Sequence, residues 1–199
     1  MHFVLEERRK HMKKGAEYYR AYLDGNESAF EGIVNEYRDP VTFFIQRYVH
    51  DIYAAEDIAI EVFMDLVVHR HRYNFKHSLR TYLFVLARSK ALDHLRKCKR
   101  HPLFSTDTPP DEQGIPEPAD AFDLEEHVIQ NEQFRRLHEA LEKLPQDQQI
   151  AVHLVYFEQY SYEEAAKIMK KTRKQVDNLL YRAKQMLRGM IGEDGEIAS

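Results

Sequence analysis

The chain has 199 residues, a formal net charge of −4, 43% hydrophobic residues and a single cysteine. One cysteine excludes an internal disulfide and a cysteine-rich zinc site. The acidic balance argues against a generic nucleic-acid coat. No apolar run is long enough to span a bilayer, and the start lacks an apolar signal core, so a cytoplasmic protein without membrane insertion is expected.

Residues 6–23 read as a charged helix, and 1–24 as an N-terminal helical extension. Asn26 is placed to cap a helix starting at 27, with Phe30, Ile33, Val34 and Tyr37 on its apolar side. Asp39-Pro40 predicts a fresh helix start, because Asp caps and Pro suits the first helical position. A third helix is expected over 54–69. Within it Asp57, Glu61 and Asp65 form an acidic stripe beside an apolar one of Ile58, Val62 and Leu66. After a loop over 71–78, a fourth helix runs over 79–100. Its end is basic: between Arg88 and Arg100 the only acid is Asp93. Among Tyr73, Phe75, Tyr82 and Phe84, the pair Phe75 and Tyr82 is assigned to packing.

The character then changes. Residues 102–123 are rich in Pro, Asp and Glu and have almost no periodic apolar positions, so they read as a flexible acidic Pro-rich linker. Some twenty extended residues reach about 70 Å. That is about two turns of B-DNA at roughly 34 Å each. A second unit is expected over 124–192, with helices over 125–143 and after Pro145, and a disordered tail over 193–199. The fold class is therefore all-α, two small helical domains flanking the linker over 25–101 and 124–192.

The strongest local signal lies in 161–191. Ser161-x-x-Glu164 and Thr172-x-x-Gln175 are two capping boxes only eleven residues apart. Val176, Leu180, Ala183 and Leu187 then recur at helical spacing, among Arg173, Lys174, Arg182, Lys184 and Arg188. A short helix, a tight turn and a longer basic helix make a helix-turn-helix, whose second helix suits a DNA major groove.

The blocks AEDIAIEVFMDL (55–66), LRTYLFVLARSKALDHLRKCKR (79–100), LEKLPQDQQIAVHLVYFEQYSYEEAAKIM (141–169) and KKTRKQVDNLLYRAKQML (170–187) stand in this order around a Pro-rich acidic linker. In this the chain resembles the bacterial RNA polymerase sigma factors of the extracytoplasmic-function type. The turn of the helix-turn-helix carries Lys170 where that family usually has Gly. The resemblance implies two partners, core RNA polymerase and promoter DNA, and leaves room for an inhibitory anti-sigma factor. It implies that Asp57, Ile60, Glu61 and Asp65 dock on the clamp helices of the largest polymerase subunit, and that the second unit meets the flap of the second-largest. It further implies that the −10 promoter element is held by Lys76, His77 and Ser78 of the loop. Arg88, Ser89, Lys90, Asp93, His94, Arg96 and Lys97 of the following helix would share that element. The −35 element falls to Thr172, Arg173, Lys174, Gln175, Asn178, Arg182 and Lys184. Arg and Lys suit guanine edges, Gln and Asn adenine edges, and Arg182 and Lys184 phosphates. Acids of the linker (Asp107, Asp111, Glu112, Glu117) would line the RNA path.

Two other functions compete with this one. His94, Cys98 and His101 offer a partial metal-ligand set without an evident fourth member, so neither metal nor cofactor is expected. No nucleophile elbow or phosphate-cradling Gly loop occurs, so no enzyme is expected. An autonomous helix-turn-helix regulator would explain 161–191 but leave the block over 55–100 unused.

Overall fold

The computed structural model describes residues 14–100 and 135–191, all of them in helices or the turns between them. The linker, the N-terminal thirteen residues, His101, the expected start of the second unit at 124 and the C-terminal tail lie outside the described residues.

Helix α1 (14–23) is not a detached extension. Its Tyr19 is fully buried, and the phenol donates to the carbonyls of Arg70 (2.6 Å) and Leu66 (3.3 Å). Ring contacts with Tyr73 (5.3 Å) and Tyr22 (5.9 Å) surround it. The backbone of α1 comes so close to the next helix that a Cβ at Gly15 would collide with the Tyr37 hydroxyl. A boundary at residue 24 therefore cuts through a packed core. Charge on the exposed face of α1 hid the tyrosines that face inward.

Helix α2 (Ser28–Val49) runs unbroken through Pro40, where the sequence predicted a new start. Ile33, Tyr37, Val41, Phe44 and Tyr48 form one buried stripe across that point. Packing on both sides of Pro40 outweighs the one hydrogen bond that Pro cannot make. Asn26 does not cap the helix; its side-chain oxygen accepts from Ser28 Oγ (2.7 Å) instead. The helix ends at His50, which is left-handed at φ 56°.

Helix α3 (Ile52–Val68) starts two residues earlier than the periodicity suggested, because Asp51 caps it. The Asp51 carboxylate accepts from the N–H groups of Tyr53 (2.9 Å) and Ala54 (3.2 Å). Helix α4 (Leu79–Arg100) follows a loop in which Tyr73 is buried and Phe75 adopts φ 60°. Ser78 caps α4, its Oγ accepting from Thr81 N–H at 3.1 Å. Tyr73 and Phe84 are the fully packed aromatics of this region, while Phe75 and Tyr82 are only partly covered.

In the second unit, helix α5 (135–142) leads through Pro145 into α6 (Gln146–Val152). The latter continues as one π-helical turn over His153–Phe157. The widened turn buries His153 and Leu154 and turns Tyr156 and Phe157 out to solvent. Helices α7 (Tyr162–Met169) and α8 (Arg173–Ile191) form the helix-turn-helix. Both capping boxes are present. Ser161 and Glu164 exchange bonds of 2.9 and 3.3 Å, and Thr172 and Gln175 bonds of 2.7 and 3.2 Å. Val176, Leu180, Ala183 and Leu187 are the buried face of α8.

The two units also pack on each other, α4 against α7 and α2 against α6. Their buried side chains form one continuous cluster.

Two outcomes follow. Tyr19→Ala should cost about 3–5 kcal/mol in urea denaturation of the full chain, the range for losing a large buried aromatic; a cost below 1 kcal/mol would detach α1 from the fold. Lys170 sits at φ 52° in the helix-turn-helix turn. A left-handed residue with a Cβ is disfavoured by roughly 1–2 kcal/mol. Lys170→Gly should therefore stabilise the chain by about 1 kcal/mol in the same measurement, after Gly's larger loss of chain entropy is subtracted.

Candidate nucleic-acid and partner interface

Helix α3 is apolar on more than the face it buries. Ile58, Val62 and Leu66 are packed, yet Tyr53, Ile60, Met64 and Val68 are more than half exposed. Ile60 and Met64, with Phe43 of α2, also exposed, edge a groove lined by Val34, Phe63 and Val67. Asp57 and Glu61 stand exposed on the same helix. The result is an open apolar surface with exposed carboxylates on the same helix. Tyr53, Met64, Val68 and Phe43 were not singled out from the sequence. The spacing of Ile60, Met64 and Val68 was the available signal.

Asp65 differs from its two stripe-mates. It points at α4 and the following loop, with Lys90 Nζ at 3.8 Å, Arg72 Nη1 at 3.8 Å and His69 Nε2 at 4.0 Å. Its side chain keeps only 16% of its exposure. Lys90 also lies 3.7 Å from Glu61, so this lysine is held on α3 rather than offered outward. Asp65→Ala should lower stability by about 1–2 kcal/mol, because it removes the largely buried carboxylate that Lys90, Arg72 and His69 share. Glu61→Ala should stay within about 0.5 kcal/mol, as exposed sites do. Paired thermal melts check the contrast, and equal effects would refute the distinction.

The loop before α4 places Lys76 and His77 in solvent. Ser78 is committed to the α4 cap and to a 2.9 Å contact with Thr81 Oγ1. Tyr73 supports the loop from below, donating from its hydroxyl to the His77 carbonyl at 2.7 Å. Phe75 lies 4.6 Å from the Tyr73 ring, with the Arg20 guanidinium 5.0 Å above its face. Arg20, missed by the sequence reading, thus brings α1 to the loop. Along α4, Arg96 and Lys97 are exposed, and Arg96 pairs with Asp93 at 2.7 Å. Arg88 and Ser89 are half-buried, and His94 lies 3.4 Å from Cys98 Sγ. Among the described residues no three His, Cys, Asp or Glu side chains converge on a metal-sized site.

Thr172, which caps α8, and Arg173, Lys174, Gln175, Asn178, Arg182 and Lys184 of α8 are all exposed. Three of them, Thr172, Arg173 and Gln175, are already engaged. Arg173 Nε pairs with Glu163 at 2.9 Å, and the Gln175 carbonyl oxygen is spent on the Thr172 cap. Neither engagement was foreseen as a competitor to base reading.

Two family models match the chain: Sigma-70 region 2 over residues 33–101, and Sigma-70, region 4 over residues 134–187. Together they span more than half of it. The chain belongs to the sigma-70 family. It is 29% identical over 168 residues to the RNA polymerase sigma-H factor of Pseudomonas aeruginosa, spanning 82% of this chain and 86% of that one. It is 28% identical over 160 residues to the ECF RNA polymerase sigma factor SigM of Bacillus subtilis, spanning 79% and 92%. In fold it is similar to the sigma factor RpoE from Bartonella quintana, solved in complex with the anti-sigma factor NepR. That match has a TM-score of 0.64 at 21% identity and covers 83% of this chain and 98% of that one. CnrH, solved with the cytosolic domain of CnrY, gives a TM-score of 0.59 at 17% identity, with 92% and 98% covered. This sigma factor is of the extracytoplasmic-function type. It is a non-enzymatic initiation factor that binds RNA polymerase core and directs it to promoters. No helix among the described residues is long and apolar enough to cross a membrane.

Proposed function

We propose that the sigma factor works in the bacterial cytoplasm and divides its contacts among three surfaces. The α3 patch, with Ile60 at its centre and Asp57 and Glu61 at its rim, docks on the clamp helices of the largest polymerase subunit. Burying apolar area supplies the affinity, and the two carboxylates choose orientation against basic side chains. Asp65 supports the patch from behind. The exposure of Ile60, 61% on a helix that already has a buried face, is the observation that carries this reading.

The loop with Lys76 and His77 and the basic end of α4 take the −10 element. Their layout suits opened DNA: cations along α4 for phosphates, and an aromatic-floored loop for an unstacked base. Ser78 contributes by fixing the loop to α4. The first turns of α8 read the −35 element in the major groove, led by Lys174 and Asn178. Arg182 and Lys184 meet phosphates. The second unit rests on the flap of the second-largest subunit, and an anti-sigma factor, as found with two fold relatives, is a fitting regulator.

In vitro transcription with core polymerase tests the assignment. Asp57→Lys with Glu61→Lys should weaken core binding by about tenfold or more while leaving the melting temperature near the parent's. Unchanged core affinity would remove the α3 patch from the contact. Asn178→Ala should cost about 1–3 kcal/mol at one base position and spare stability. Gln175→Ala should instead cost about 1 kcal/mol of stability through the lost cap. Promoter preferences identical to the parent's for Asn178→Ala and Lys174→Ala would displace the reading face from α8.

A further inference from the structure

Helix α1 lies before the stretch that matches Sigma-70 region 2, which begins at residue 33. It nonetheless supplies one wall of the cleft in front of α4. Ala16, Glu17 and Arg20 line that cleft together with Phe75, Lys76 and His77 of the loop. The Tyr19 phenol ties this wall to the carbonyls of Leu66 and Arg70, where the loop begins. Glu17 and Arg20 are therefore held at fixed places beside the loop rather than carried on a loose arm.

Two observations single out Arg20. The first is its set of partners. The other cations around the loop are matched by acids: Arg72 and Lys90 by Asp65, and Arg96 by Asp93. Arg20 is exposed and makes no ion pair or hydrogen bond among the described residues; its guanidinium sits 5.0 Å from the centre of the Phe75 ring instead. A ring face attracts the charge without engaging any one N–H, so the donors of a guanidinium seated this way stay open to an anion. The second is the seat. Phe75 is held at φ 60°, a conformation that bulky side chains rarely adopt. Its ring is pinned by Tyr73 at 4.6 Å and by Tyr19 of α1 at 6.1 Å. Backbone in so sparsely populated a region persists only where its surroundings over-determine it, and such places cluster at ligand sites. Here the strained residue carries the ring that underlies Arg20.

We infer that Arg20 is a further nucleic-acid contact: seated on Phe75, it takes a backbone phosphate of the opened −10 strand, with Phe75 as its positioning residue. The inference rests on the reading of the loop as the −10 contact, and it extends that site to a helix outside the matched region. Glu17, one turn earlier on the same wall, acts in the opposite sense and repels the phosphates that Arg20 attracts.

Holoenzyme reconstituted from core polymerase and the full chain tests this, at core concentrations that saturate every variant. The probe is a promoter fragment selected by the parent holoenzyme, with mismatches that hold its −10 bases open. A shorter duplex ending upstream of the −10 element is the control. Arg20→Gln should weaken binding of the open probe about threefold to tenfold and lower the slope of log K against log salt by about 0.7, the share of one single-strand phosphate. Arg20→Lys should keep the slope, and the short duplex should not distinguish the variants. Glu17→Gln should shift the open probe toward tighter binding. Phe75→Gly, which accommodates the left-handed backbone but removes the seat, should lose affinity with Arg20→Gln. Parental affinity and slope for Arg20→Gln overturn the contact. An equal loss in Arg20→Gln and Arg20→Lys, with the slope unmoved, overturns it as well, because that marks a merely structural role. Parental binding by Phe75→Gly overturns the seating. If Lys76→Ala with His77→Ala leaves the open probe unaffected, the loop reading alone fails, and the slope for Arg20→Gln still decides the contact.

Discussion

Phe44 and Phe84 lie 4.8 Å apart, both fully buried, at the point where α2 crosses α4. The rest of the molecule is arranged around that ring pair. Inward, it joins the two long helices of the first unit and so fixes where the α3 patch and the α4 cations face. Outward, the same rings touch His153 and Tyr160 of the second unit. One pair of phenyl groups thus serves both as a domain core and as half of an interface. Separating the units exposes ring edges that the first unit cannot cover by itself. Apolar area seeking cover holds the two units together here, and polar contacts such as Arg80 with Glu158 decide their register.

The same economy explains why Asp65 and Glu61, four residues apart, do different work. Both lie on the acidic stripe of α3. A rotation of about forty degrees between i and i+4 positions is enough to turn one carboxylate toward α4 and leave the other at the rim. Asp65 gathers Lys90, Arg72 and His69 and ties the loop and α4 to α3. Glu61 stays exposed at the rim, 3.7 Å from Lys90. Acidic spacing alone marks the helix as a whole; which carboxylate is structural depends on the helix that lies beside it.

What the sequence made legible was local. Both capping boxes, the buried face of α8, the bounds of α4 and the all-helical class depend on interactions spanning a few residues. The sequence carries those directly. The misses share the opposite property. Pro40 looked like a helix start because its local chemistry fits one, yet the stripe from Ile33 to Tyr48 keeps the helix whole. Helix α1 looked like an appendage because its charges are visible in the sequence and the burial of Tyr19 under Arg70 is not. The π-helical turn after α6 leaves no pattern in HLVYF distinct from an α-helix. The packing between the units joins residues such as Arg80 and Glu158, seventy-eight positions apart, which no periodicity relates.

On the recognition helix, folding and reading compete for the same atoms. A glutamine reads adenine by using its carbonyl and amide together. Here the Gln175 carbonyl closes the cap on α8, so only its amide remains for a base while the cap is intact. Arg173 is likewise held by Glu163 across the turn. Lys174 and Asn178 make no ion pair or side-chain hydrogen bond among the described residues, and both stand in the first turns of the helix. On the proposed reading of α8, specificity would rest most on these two side chains, which the fold does not need. The capped pair keeps α8 rigid enough for those two to be aimed.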